Sequence, residues 1–340
     1  MTVYLHDFKF RSMWEEESLV RREMRTCFHW NWPFGVLPRM GLERMEFESV
    51  TILHGGNGSG KSTALNVMAA RLGVLRELPM TSHFFDWYVN GGGEIGPLAY
   101  NSELPEAMRP VPAESRILTS EDVFDKTSGL RGRNREIDRA REEVAREWRK
   151  MRYEEERVRC VSLHGPEYEH WRRQRDARRK SMSRMIREEV GFDVKTGSNG
   201  ENAFEYFLEK VRGGALYLLD EPENSLSAKW QAKLAVYLEG MARFEGCQFV
   251  IATHSPFLLG IRGAKIYDLD SDGVPVRRWT ELENVREFFG FFRERAGEFE
   301  GGLAQSHGDT EGEEAQKDME GKKEGKGEGE GGSSEGTEGF

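Results

Sequence analysis

The stretch Gly55-Gly56-Asn57-Gly58-Ser59-Gly60-Lys61-Ser62-Thr63 fits the pattern G-x-x-x-x-G-K-[ST] and is the most chemically specific part of the chain. A polyphosphate needs many hydrogen-bond donors inside a small concave space. Backbone N–H groups supply them where side chains stay clear, which Gly55, Gly58 and Gly60 allow. Lys61 adds a point charge for β- and γ-phosphates, and Ser62 an oxygen for a divalent cation such as Mg2+. Such a cation calls for a carboxylate, and cleaving the phosphate calls for another that polarises water. Asp220 and Glu221, at the end of the apolar run Leu216-Tyr217-Leu218-Leu219, meet both needs: Asp220 orients the metal and Glu221 acts on water. His254 closes the next apolar run, where it can touch a γ-phosphate or its attacking water. Ser198-Asn199-Gly200-Glu201 has the form of a helix N-cap, and the Ser198 hydroxyl and Gly200 amide suit a phosphate held by the same chain or another. Each element also has a plainer reading: a Gly-rich turn, an acidic turn, a capping histidine, an ordinary helix start. Their presence together favours the chemical one.

Positioning these groups requires an α/β frame. Val50 to Leu53 is a short buried strand entering the loop, and Ser62 to Ala70 a helix leaving it with its N-terminus toward the anion. Arg116 to Ser120 is a short strand, with Ser120-Glu121-Asp122 capping the next helix. Ala215 to Leu219, Gln248 to Thr253 and Ile266 to Leu269 are further buried strands, with helices over Asn202–Lys210 and Ala228–Arg243. Tyr4 to Phe10 alternates loosely, as an edge strand does. Thr81 to Arg116 is dense in Gly and Pro and is expected to be irregular.

Residues 131–190 differ in kind. They carry roughly six more basic than acidic residues, interrupted at Gly165-Pro166, which predicts two helices folded back on each other. The first, about 30 residues long, would reach about 45 Å. Ile137, Val144, Met151 and Val158 fall at heptad spacing, but the row Ala140, Glu147, Glu154 is poor, so a short, partly solvated hairpin is expected over a coiled-coil arm. Trp148 and Trp171 within this Arg-rich block could stack nucleic-acid bases. The competing reading is a solvated face with Glu–Arg pairs such as Glu142–Arg146.

Bulk properties set the bounds. The chain has 340 residues and a formal charge of -10. Residues 300–340 are nearly all Gly, Glu, Lys and Ser, with roughly seven more acids than bases, the composition of a disordered tail. The folded body is therefore only mildly acidic, and net charge alone does not exclude nucleic acid. Cys27, Cys160 and Cys247 have no ligand spacing, no leader pattern opens the chain, and no apolar run nears the roughly 18 residues needed to span a bilayer. A cytoplasmic protein without direct membrane insertion is expected.

Taken in order, Gly55–Ser62, Ser198–Glu201, Asp220-Glu221-Pro222-Glu223-Asn224-Ser225-Leu226-Ser227 and Gln248–Pro256 resemble the ABC-type ATPase head. The soluble SMC/RecF-like branch is nearest, in particular the bacterial stand-alone ATPases labelled AAA. The resemblance spans about residues 1–295, with residues 131–190 as an insertion inside that domain, and implies a P-loop NTPase with a mixed or parallel central sheet flanked by helices. It also implies a head-to-tail homodimer with ATP sandwiched between heads. Ser198 and Gly200 of one copy would meet the γ-phosphate held by Lys61 of the other, with Glu221 as base, His254 as sensor and Ser225-Leu226-Ser227 crossing the interface. Three departures stand out. There is no Gln between Ser62 and His164, where such heads carry one, and Glu121 is the nearest substitute. The signature is Gly-Ser-Asn-Gly-Glu rather than Leu-Ser-Gly-Gly, and Ser227 replaces a usual Asp.

The expected function is a Mg2+-dependent ATPase that dimerises on ATP, acting through a protein partner or nucleic acid in DNA repair, chromosome maintenance or phage defence. The alternatives are a transporter's ATP-binding subunit and a slowly hydrolysing switch.

Overall fold

The computed structural model describes residues 2–23, 32–78, 85–92, 94–153, 166–192 and 198–299. The tail, Cys27, Cys160, Val158, Gly165 and Gly197 lie outside the described residues. Chain contacts divide the protein into a large unit, Met1–Trp279, and a second, Thr280–Phe340.

In chain order the large unit holds β1 (Asp7–Lys9), α1 (Met13–Glu23), β2 (Arg44–Glu46), β3 (Val50–His54), α2 (Lys61–Leu72), α3 (Phe85–Asn90) and β4 (Ala99–Tyr100). Next come β5 (Arg116–Thr119), α4 (Ser120–Tyr153), α5 (Pro166–Arg179), α6 (Met182–Glu189), α7 (Asn199–Lys210) and β6 (Leu216–Asp220). It ends with α8 (Ala228–Phe244), β7 (Gln248–Thr253), α9 (Pro256–Leu259), β8 (Lys265–Asp268) and β9 (Val276–Arg277). The second unit carries α10 (Glu283–Glu294).

The main sheet has six strands in the order β5-β6-β7-β3-β8-β9, parallel except for the β8–β9 pair. Every residue of β3 and β7 is buried, as in a parallel sheet covered on both faces. Leu53, Leu65, Met68, Leu216, Leu218 and Val250 share one core, in which each full burial contributes about 1.5–3 kcal/mol. In this mixed α/β sheet flanked by helices, β3 is flanked by β7 and β8, and β7 by β6. Their carboxyl ends therefore open on one crevice.

Tyr4–Phe10 is not an edge. Its strand, β1, is the middle of a three-stranded antiparallel sheet β2-β1-β4, with Phe8 and Phe10 buried. Its partners are remote in sequence, so local alternation cannot show that both of its sides are paired.

The helix that carries the first part of the charged block begins before residue 131. Helix α4 follows β5 without a break and runs 34 residues through Gly129 and Gly132. The Asp122 Oδ2 closes its first turn by accepting from the Thr119 N–H and hydroxyl, both at 2.8 Å. Two helices pack on α4 rather than one, because Ser181 stops α5 and caps α6, its hydroxyl accepting from the Arg184 N–H at 3.3 Å. Met151, Ala177 and Met185 form a thin core with Val144 and Trp148 against it, so two of the three described heptad positions pack inward.

Candidate functional site

Between β3 and α2 the chain makes the phosphate loop. Gly58 and Gly60 take φ of 85° and 80°, a conformation that favours glycine. A Cβ on Gly60 would also lie 2.9 Å from the Met40 Sδ, and one on Gly55 2.4 Å from the Ser59 Oγ. Lys61 is buried and its ammonium donates to the Gly55 and Gly56 carbonyls at 2.6 and 2.8 Å, folding the loop around itself. Asn57 is exposed at the loop's turn, and the Thr63 hydroxyl accepts from the Trp32 indole N–H at 3.1 Å.

Strand register brings the remaining residues to this loop. Asp220 stands opposite Ala252 of β7, and Thr253 opposite His54 of β3. The Ser62 hydroxyl donates to the Asp220 Oδ1 at 2.9 Å, joining residues 158 positions apart. Burial pushes the Asp220 carboxyl up to about 6, and neighbouring Glu221 adds to the rise while the Ser62 hydrogen bond and Lys61 oppose it. Glu221 has φ 46°, a left-handed conformation rare outside glycine that costs on the order of 1–3 kcal/mol. It is held there by its own N–H donating to the Ala252 carbonyl at 2.9 Å and by the Asn224 amide donating to its Oε2 at 2.9 Å. His254 follows β7 with its side chain 46% exposed.

Ser198 is the N-cap of α7, its hydroxyl accepting from the Glu201 N–H at 3.3 Å. Gly200 is buried, and a Cβ there would lie 2.8 Å from the Trp230 ring. Glu121 is exposed on the first turn of α4 and lines a cavity of about 410 Å3 with Phe124, Asn224 and Ser225.

Four site residues escaped the sequence reading. Asn224 holds Glu221, as described. Asp270, just beyond β8, accepts the Gly56 N–H with both carboxylate oxygens at 2.9 Å and so braces the loop from outside. It converges with His54 and Asp268, whose carboxylate already takes the Ser271 hydroxyl and the Arg277 Nε. Burial holds the His54 ring below the usual imidazole range. Arg76 donates to the Asn66 Oδ1 at 2.5 Å; burial lowers its pKa, opposed by Asp122, Asp220 and Glu121. Glu223 is 4% exposed and bonds to the Thr253–His254 turn. Only Glu223 and Asn224 had a signal, lying beside Glu221 in sequence; Asp270 and Arg76 had none.

The two tryptophans of the Arg-rich block, Trp148 and Trp171, are engaged within the chain. The Trp148 indole N–H donates to the Lys180 carbonyl at 3.2 Å beneath Arg152, and Trp171 stacks on Tyr168 with Arg175 over it. The Arg173–Glu147, Arg184–Glu188 and Lys180–Asp176 pairs cover the surrounding surface. Cys247 is buried, and burial pushes its thiol up. No helix among the described residues is long and apolar enough to cross a membrane.

Comparison with known proteins adds the following. Residues 206–260 match the family described as "AAA domain, putative AbiEii toxin, Type IV TA system". That segment runs from within α7 through β6, α8 and β7 to the end of α9, and contains Asp220, Glu221 and His254. No curated protein matches. Among solved structures, the chain is similar to the Smc head domain with an extended coiled coil, bound to the C-terminal domain of ScpA, from Pyrococcus furiosus. Identity there is 13%, covering 72% of this chain and 94% of that one, with a TM-score of 0.34. It is also similar to cbiO1 from Clostridium perfringens, part of the ABC transporter complex cbiONQ, at 14% identity over 77% of this chain and 90% of that one, with a TM-score of 0.29. With the pattern G-x-x-x-x-G-K-[ST] in the loop between β3 and α2, the chain resembles the ABC/SMC-like P-loop ATPase heads.

Proposed function

We propose that this protein is a Mg2+-dependent ATPase of the cytoplasm whose two copies close on ATP. The observation that carries the reading is the 2.9 Å hydrogen bond between Ser62 and Asp220 beside a loop wrapped on its own lysine. A hydroxyl and a carboxylate are the hard oxygen donors that Mg2+ selects. When bound, Mg2+ would polarise the γ-phosphate and offset its charge.

The chain's own groups supply the rest. Gly55 to Thr63 wrap the triphosphate with backbone donors, and Lys61 neutralises its β- and γ-phosphates. Glu221, fixed by Asn224, accepts the proton of the attacking water. His254 faces the γ-phosphate and its attacking water from the end of β7. Ser198 and Gly200, at the start of α7, complete the site of a second copy. Hydrolysis parts the copies, and the insertion passes that motion to a protein or nucleic-acid partner. The description of the family matched over residues 206–260, a putative toxin of a Type IV TA system, favours a toxin role of that kind over repair or chromosome maintenance.

The test is Glu221→Gln. It is expected to bind ATP as the wild type does, to release phosphate at least about 100-fold more slowly, and to run as a dimer in ATP by light scattering. Phosphate release at the wild-type rate overturns the assignment.

A further inference from the structure

Glu223 is an expensive residue to bury. It is 4% exposed, and its Oε2 has no hydrogen-bond partner. An apolar side chain of similar volume would fill the same space without that cost, so what its other oxygen holds is informative. The Oε1 accepts from the Thr253 hydroxyl at 2.6 Å and from the His254 backbone N–H at 2.9 Å, and the His254 Nδ1 lies 3.4 Å from the same atom. The Thr253 hydroxyl oxygen in turn accepts the Ser255 N–H at 3.0 Å. The Ser255 hydroxyl donates to the Gln231 Oε1 at 2.8 Å, and the Gln231 amide donates to the Leu226 carbonyl at 2.9 Å. One carboxylate thus ties the turn after β7 to the turn after β6, which carries Glu221.

We propose that Glu223 is a positioning residue that sets the direction of the His254 ring for ATP hydrolysis; this rests on the function proposed above. It fixes the His254 backbone through the N–H and draws the ring by its Nδ1, so the Nε2, on the ring's far side, is the nitrogen presented to the water that attacks the γ-phosphate, from which it accepts a hydrogen bond. The neutral ring accordingly keeps its proton on Nδ1, which donates toward the carboxylate.

A double-mutant cycle tests this, with single-turnover hydrolysis and binding of a fluorescent ATP analogue as readouts. His254→Ala and Glu223→Ala are each expected to lower the hydrolysis rate about 10- to 100-fold, with analogue affinity within about threefold of wild type. The double variant should be no slower than His254→Ala alone. Glu223→Gln, which keeps an acceptor oxygen in place, should recover most of the rate. Wild-type hydrolysis by Glu223→Ala, or losses that multiply in the double variant, overturns the proposal. A second readout is independent of turnover and of any variant's folding: the 15N shifts of the His254 ring in the wild-type protein at about pH 8. A proton on Nδ1 supports the proposal and a proton on Nε2 overturns it. Absence of ATP hydrolysis by the wild type, or full hydrolysis by His254→Ala, defeats the functional reading instead, and the ring shifts still decide the role of Glu223.

Discussion

The crevice at the carboxyl ends of β3, β6 and β7 and the bundle of α4, α5 and α6 are held together by different forces. In the crevice, strands buried on both faces deliver each polar group to a fixed place, and Lys61, Asp220, Glu221 and Asp270 are each tied by named hydrogen bonds at 2.6–2.9 Å. In the bundle, three buried side chains, Met151, Ala177 and Met185, form the core, and pairs such as Arg173–Glu147, about half exposed on both sides, lie outside it. Exposed pairs of that kind are worth about 0.2–1 kcal/mol. The first region is built for geometry and the second for a solvated surface with little apolar content. Changes in one should leave the other's observable nearly untouched.

Lys61→Ala should produce the largest effect, a loss of nucleotide affinity of at least about 100-fold by calorimetry with the bundle's hydrogen exchange unchanged. Unchanged binding breaks the comparison at its strong end. Met185→Ala should cost about 2–4 kcal/mol of local stability in the bundle, read as faster exchange across α4 to α6, with ATP affinity within about threefold. If affinity falls in parallel, the two regions form one cooperative unit.

The next effect is pH-dependent. Asp220 binds a proton with a pKa of about 6, above its ordinary value, so the proton competes with Mg2+ below that pH. Mg2+-dependent ATP affinity should fall as pH drops through about 6, by roughly tenfold per unit, and Asp220→Asn should flatten the profile. In the ligand-free protein the sign reverses. The stability that protonated Asp220 contributes is full below the ordinary carboxylate range and is lost as pH rises through about 6. The smallest expected effect is that of Arg173→Ala, at most about 0.5 kcal/mol in urea unfolding and fading with salt. A larger loss would mean that the bundle's surface is as organised as the crevice.

The same contrast governs what the sequence makes legible. The bounds of β7, Gln248–Thr253, follow from an uninterrupted apolar run, and the loop, Asp220 and Glu221 follow because their chemistry demands those residue types next to such runs. Ser198 is an N-cap, as its spacing to Glu201 implies. The Asp270–Gly56 contact joins residues 214 positions apart, and no local pattern marks it. The central place of β1 depends on two remote partners in the same way. The start of α4 at Ser120 was legible as a cap, but its continuity into the charged run was hidden by Gly129 and Gly132, each costing about 1 kcal/mol in a helix. The third helix of the bundle rests on one serine cap inside a charged run, where hydrophobic periodicity is too weak to show a break.

The unbroken junction of β5 and α4 has a mechanical consequence. Thr119, the last residue of β5, lies in register beside Asp220, and the next residue is already helix. With no intervening loop to absorb rotation, a tilt at the sheet end travels along the whole rod. Over 34 residues α4 extends about 51 Å, so a tilt of about 5° at its root displaces its tip by about 4–5 Å. A shift at Asp220 too small to alter its own hydrogen bonds would then become, at the far end, a movement close to the full pitch of a helical turn.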